Sequence, residues 1–178
     1  RQRHDLYRAI ADGGRKGMKE YFETFLKVLD ALDKAEVEYV LIGGYAVIIH
    51  GLPRFTEDMD LFVRLEQDNI ARLRHALLQV FQDISLEELT CEEIERHPVI
   101  RYGAPNGFVI DVIARIGDRY TFDDLAYERI EIEGHPLRIA TPETLLRMKQ
   151  DTVRPQDHRD AAFLKELLVR QRRTDGNH

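Results

Sequence analysis

Between residues 16 and 34 the apolar side chains Tyr21, Phe22, Phe25, Leu26, Leu29 and Leu32 recur every three or four positions. That spacing predicts an amphipathic helix with one face on a core. The period then shortens. Residues 38–42 are β-rich and end at Gly43-Gly44, and 45–50 read as a brief helix stopped by Gly51 and Pro53. Acidic and apolar residues alternate over 58–64, as in a half-buried strand, and Ile70, Leu73, Leu77 and Val80 restore helical spacing over 69–81. The glutamate-rich stretch 87–95 reads as a solvated surface segment.

Two more β-like runs, 99–102 and 108–114, flank Gly103-Ala104-Pro105-Asn106-Gly107 and predict a hairpin. A further pair, 129–133 and 137–139, surrounds Gly134. Thr141-Pro142-Glu143 carries an N-cap and a proline at the first helical position, and Pro155 separates that helix from a last one over 156–170. The order predicts an α/β or α+β fold, a mixed β-sheet flanked by helices with C-terminal helices at its end.

A chain of 178 residues suits one domain. The expected division is a helical segment, 1–36, packing on a core, 37–140, with 141–178 as C-terminal helices of the same domain. No apolar run approaches the roughly 20 residues that cross a bilayer, and the first residues carry no leader pattern. A soluble, cytoplasmic protein without a membrane partner is therefore expected. The net charge of −6 argues against a surface given over to nucleic acid. The basic run 170–173 reads as a solvated end. Cys91 is the sole cysteine, so neither an internal disulfide nor a zinc site of clustered cysteines can form, and packing is its expected role.

Candidate chemistry concentrates in three places. Side chains two apart on a strand share a face, so Asp58 and Asp60 project together while Met59 and Leu61 face the other way. Two neighbouring carboxylates repel each other, and a hard divalent cation relieves that repulsion. The alternative is a pair that faces water. Gly43-Gly44, between a strand and a helix, allows close approach of a phosphate, although a tight turn would also use it. Asp111 is the one acid within the apolar run 108–114, where a carboxylate requires a metal or a basic neighbour.

These features resemble the nucleotidyltransferase superfamily that includes DNA polymerase β, the aminoglycoside nucleotidyltransferases and the minimal nucleotidyltransferases. The pattern is a hydrophobic strand with a glycine pair, here Leu41-Ile42-Gly43-Gly44, then an acid-hydrophobic-acid-hydrophobic strand, Asp58-Met59-Asp60-Leu61, with Asp111 as third carboxylate. The stretches Ile42-Gly43-Gly44-Tyr45-Ala46 and Arg54-Phe55-Thr56-Glu57-Asp58-Met59-Asp60 look like the AbiEii-type toxins of type IV toxin–antitoxin systems. Lys149 and Arg154-Pro155-Gln156-Asp157-His158-Arg159-Asp160 extend the likeness toward Leu168.

The resemblance implies a nucleotidyltransferase fold and a Mg²⁺-dependent enzyme that moves an NMP from an NTP to a hydroxyl of RNA, protein or a small molecule. By the same resemblance Asp58, Asp60 and Asp111 are the catalytic metal ligands. Gly43, Gly44, Arg54, Thr56 and Lys149 contact the nucleotide, and an antitoxin protein is the implied partner. An RNA acceptor would call for a basic face, for which Arg72, Arg74, Arg101 and Arg115 are candidates. His50, before Gly51, and His97, before Pro98, read as structural. Asp157 and Asp160 share a face of the last helix, where capping or a site role is open. Two rival readings stand beside this one: a non-catalytic nucleotide- or partner-binding protein of the same fold, and an aminoglycoside-type small-molecule nucleotidyltransferase with an acidic pocket from 87–95.

Overall fold

A computed structural model describes residues 16–150 and 152–176; the first part of the expected N-terminal segment, 1–15, lies outside the described residues. The elements run α1 (Lys16–Lys34), β1 (Tyr39–Ile42), α2 (Gly43–Ile49), β2 (Asp58–Val63), α3 (Gln67–Phe81), a 3₁₀ turn (Ile84–Glu88), α4 (Cys91–Arg96), β3 (Ile100–Gly103), β4 (Val109–Ile113), a second 3₁₀ turn (Phe122–Asp124), β5 (Tyr127–Ile132), β6 (His135–Ala140), α5 (Pro142–Lys149) and α6 (Pro155–Asp175). The predicted α/β architecture with a mixed sheet is the one observed.

The six strands order as β3-β4-β2-β1-β6-β5. β1 pairs antiparallel with β2 and parallel with β6, β2 pairs parallel with β4, and the outer hairpins β3/β4 and β5/β6 are antiparallel. All four residues of β1 are buried, as expected of a central strand covered on both faces. In β2 the alternation is resolved as the sequence implied: Met59 and Leu61 are fully buried while Asp58 and Asp60 are half-buried on the opposite face.

The amphipathic stripe of α1 is completed by Val28. Phe25, Val28, Leu29 and Leu32 are fully buried, and this face meets α3 and β6. One polar side chain inside the packing sets the geometry of the central strands. The fully buried Asn69 accepts from the Glu38 backbone N–H at 2.7 Å and donates Nδ2 to the carbonyls of Glu38 and Arg64, both at 2.9 Å. A buried amide must be so satisfied, and these three bonds tie the start of α3 to the entry of β1 and the exit of β2.

Three boundaries differ from expectation. Helix α2 begins at Gly43 itself, with the glycine pair as its first two residues. The stretch 87–95 is not only a solvated acidic segment. Asp83 caps the first 3₁₀ turn through Ser85 N–H, Thr90 caps α4 through Glu93 N–H, and Leu86, Leu89 and Ile94 are buried beneath. The capping residues override the charge pattern because each satisfies a helix-end donor that would otherwise lack a partner. Finally α6 runs on to Asp175, past the predicted end at 170. Among the described residues no helix is long and apolar enough to cross a membrane.

Candidate active site

The site forms where β2, β4 and the start of α2 meet. Parallel pairing of β2 with β4 puts Asp60 directly opposite Asp111, and antiparallel pairing with β1 puts Ile42, the residue before the glycine pair, opposite Asp60. Gly43 has φ +69°, and a β-carbon built on it would fall 1.9 Å from Asp60 Oδ2. No other residue type fits there without displacing the Asp60 carboxylate. A β-carbon on Gly44 would meet Thr56 Oγ1 at 2.6 Å and Arg54 Nη2 at 2.8 Å. Each glycine therefore lets a polar side chain approach the first turn of α2, Asp60 at one and Thr56 with Arg54 at the other.

The three acids differ in environment. Asp111 is buried, Asp58 is half-exposed, and both are bound by one arginine. Arg101 Nε and Nη2 donate to Asp111 Oδ1 and Oδ2 at 2.9 and 3.0 Å, and Nη2 also reaches Asp58 Oδ2 at 2.9 Å. Arg101 stands on β3 opposite Asp111, so its side chain spans β4 to touch β2. Hydrogen bonds to Asp111, then the charges of Asp111 and Asp58, hold its guanidinium further into the protonated state. Asp60 is pushed from 3.8 up to about 7, first by burial and then by the charges of Asp111 and Asp58, with Lys149 pulling the other way.

Lys149, at the end of α5, belongs to a second charged cluster. Its Nζ donates to Asp157 Oδ1 at 3.1 Å and lies 2.8 Å from Asp160 Oδ2. Arg54 Nη2 meets the same Asp160 oxygen at 3.0 Å. Gln156 Nε2 donates to Asp160 Oδ1 and the Thr152 hydroxyl to Asp157. Asp160 is fully buried and Lys149 nearly so. Burial works to raise the Asp157 carboxyl but is outweighed by Thr152 and Lys149, which hold it below the ordinary carboxylate range.

All eight residues singled out in the sequence thus stand in one connected region: Gly43 against Asp60, Gly44 against Thr56 and Arg54, Arg54 and Lys149 joined through Asp160, and Asp60 opposite Asp111. The basic neighbour that Asp111 called for is Arg101, which joins Asp58 as well. The four arginines suggested as a basic face are engaged within the protein: Arg72 with Asn69, Arg74 with the Leu89 carbonyl, Arg101 with the acids, and Arg115 with the Glu95 carbonyl. Asp157 and Asp160 bind Lys149 and Arg54 rather than serving only as a cap. Their three-residue spacing was visible in the sequence; their cation partners, eight to 106 positions away, were not. His50 Nε2 donates to the Ala140 carbonyl at 2.8 Å, joining the end of α2 to the end of β6.

Among the described residues no three Asp, Glu, His or Cys side chains are already gathered as a metal-ligand set. The donor chemistry nevertheless fits a hard divalent cation. Three carboxylates come from facing or alternate positions of neighbouring strands, and the Gly43 backbone leaves room for the Asp60 carboxylate, the member with the most to gain from a positive neighbour.

This fold is the one found in nucleotidyltransferase-like structures. The chain is similar in structure to an antigenic nucleotidyltransferase-like protein from Paracoccidioides brasiliensis, with 22% identity over 80% of this chain and 76% of that one and a TM-score of 0.51. It is also similar to the lincosamide antibiotic adenylyltransferase LnuA in its lincomycin-bound form, with 16% identity over 82% and 96% of the two chains and a TM-score of 0.50. Residues 25–164 match the family described as nucleotidyl transferase AbiEii toxin, type IV TA system, and the chain belongs to that family. Among curated proteins none matches the sequence significantly.

Proposed function

We propose that the chain is a Mg²⁺-dependent nucleotidyltransferase that moves a nucleoside monophosphate from an NTP to an acceptor hydroxyl and releases pyrophosphate. The observation that carries this reading is the register that sets Asp60 opposite Asp111 and against the Gly43 backbone. Asp58, Asp60 and Asp111 would hold the cation. When bound, Mg²⁺ supplies charge neutralisation on the phosphates and favours in-line displacement at the α-phosphorus.

The protein's own groups do the rest. Gly43 and Gly44 leave the backbone open to close approach by the polyphosphate, and Thr56, Arg54 and Lys149 are its side-chain contacts. Arg54 Nη2, held by Asp160, lies beside the Gly44 backbone. Asp111 takes the proton of the acceptor hydroxyl as its oxygen bonds to the α-phosphorus and the bond to the β-phosphate oxygen breaks. The charge then departs with pyrophosphate. Membership of a type IV toxin family supports a toxin role with a cognate antitoxin as partner.

The test is incubation of purified protein with each NTP radiolabelled at the α-phosphate, Mg²⁺, and RNA, protein and small-molecule hydroxyl acceptors, lincosamides and aminoglycosides included. Transfer by the wild type and not by the Asp58→Ala/Asp60→Ala protein is the expected result, and the labelled acceptor names the substrate class. Absence of transfer together with absence of Mg²⁺-dependent nucleotide binding would overturn the catalytic reading.

A further inference from the structure

Arg101 is unlike the other cation contacts of the site. Lys149 and Arg54 are fixed by a fully buried carboxylate, whereas the Arg101 side chain is 62% exposed. Its guanidinium nevertheless engages two of the three acids at once, with a single nitrogen, Nη2, shared between Asp58 Oδ2 and Asp111 Oδ2. It rises from β3, an edge strand, so nothing in the sheet lies outside it. Arg101 also lines a cavity of about 730 Å³ together with Glu88 and with Glu93, which is shared with Arg96 and His97. Arg101 thus binds the acids of β2 and β4 and borders a groove that has carboxylates of its own.

A guanidinium and a divalent cation make the same demand on Asp58 and Asp111. Each draws on their oxygens, and although a carboxylate oxygen that accepts one N–H bond keeps a second lone pair, the guanidinium's positive charge beside Asp58 and Asp111 opposes a divalent cation at the same place. We propose that Arg101 is a displaceable counter-cation, a positioning residue that occupies the acid pair before metal arrives and gives way to it by turning toward the Glu88 and Glu93 groove. This rests on the reading of Asp58, Asp60 and Asp111 as cation ligands. It deepens that reading by making metal entry an exchange of one cation for another. Two consequences follow. Arg101 lowers the affinity for divalent cation, and it stabilises the fold only while the cation is absent.

The experiment uses the full chain and Mn²⁺ as the probe, with free Mn²⁺ read by electron paramagnetic resonance and no nucleotide or acceptor present. Arg101→Gln keeps the polar shape without the charge. It should bind Mn²⁺ about tenfold more tightly than the wild type, within the range usual for coupled binding events. Its melting temperature should be lower than wild type in EDTA and should rise further on adding Mn²⁺. A merely structural ion pair would lower the melting temperature without tightening Mn²⁺ binding. Arg101→Lys, which keeps the charge but cannot make the bidentate fork, should fall between the two, and supplies the measurement if Arg101→Gln does not fold.

Equal or weaker Mn²⁺ affinity in the variants, with the wild type still binding, would overturn the exchange and leave the metal reading intact. Absence of Mn²⁺ binding in wild type and variants alike would overturn both. Loss of Mn²⁺ binding in Asp111→Ala is the expected control that places the ion at these acids.

Discussion

Two charged clusters lie side by side in this molecule and are built on opposite plans. Around α5 and α6, Lys149 and Arg54, the latter from the segment before β2, face Asp157 and Asp160, so that two cations meet two acids in a largely buried setting with Gln156 and Thr152 taking remaining oxygens. On β2 and β4, three acids have one exposed arginine, which binds Asp58 and Asp111, and Asp60 is left with its carboxyl pushed up to about 7. A balanced buried network is complete as it stands and contributes rigidity. An unbalanced one stores repulsion that a ligand can relieve. On the proposed reading, the strand acids are the place where a cation binds and the helix cluster is the support that holds Lys149 and Arg54 beside it.

The largest effect expected from this difference is on stability at Asp160. Asp160→Ala leaves Arg54 without its carboxylate and Lys149 with Asp157 alone, and breaking a buried pair in this way costs about 3–5 kcal/mol, read as a lower midpoint in urea unfolding. The matching change among the strand acids, Asp60→Asn, removes repulsion. It should leave stability in EDTA equal to or above wild type while nucleotidyl transfer falls to background. Equal destabilisation by both changes would erase the distinction between the clusters.

Much of this arrangement was legible beforehand. Alternation in 58–63 gave the facing of Asp58 and Asp60, and the lone acid in an apolar strand drew attention to Asp111. What periodicity cannot supply is the pairing between strands. The parallel register of β2 with β4 and the position of β3 at the edge decide that Arg101 lands on the acids, and nothing within 99–102 indicates it. Asn69 was hidden for a similar reason, since it read as a polar residue at a helix start while its partners lie on β1 and β2. The short helix in 87–95 was missed because glutamates masked the caps at Asp83 and Thr90. Helices α1 and α3 were the easiest to read, because their apolar stripes carry the signal locally.

A middle-sized effect is expected at Gly43, which belongs to the acid side of the comparison. Gly43→Ala places a β-carbon against the Asp60 carboxylate at a left-handed φ of +69°. The backbone alone costs about 1–2 kcal/mol, and the displaced carboxylate should weaken Mn²⁺ binding as well. A Gly44→Ala protein sharpens the test. It crowds Thr56 and Arg54 instead, so nucleotide affinity should fall more than Mn²⁺ affinity does, measured by titration with a non-hydrolysable NTP and with Mn²⁺ separately.

The last effect is the one that separates the two clusters by sign. Asp60 has a folded pKa of about 7 against an ordinary 3.8, so between those values the folded protein holds a proton that the unfolded chain has released. Stability in EDTA therefore falls as pH rises from about 4 to about 7 on account of this group. Each pH unit between those values is worth about 1.4 kcal/mol at most, an upper bound that contact with water reduces. Asp157 works in reverse. Its carboxyl is held below the ordinary range by Thr152 and Lys149 against the pull of burial, so its contribution is present above the ordinary value and is lost as pH drops through and below it. Urea unfolding across pH 3 to 8, roughly the span in which carboxylates titrate in proteins, should show Asp60→Asn flattening the upper part of the wild-type profile and Asp157→Asn flattening the lower. Adding Mg²⁺ should flatten only the upper part, because a bound cation favours the charged form of Asp60 and lies outside the Lys149 network; flattening of the lower part by Mg²⁺ would show the two clusters to be one.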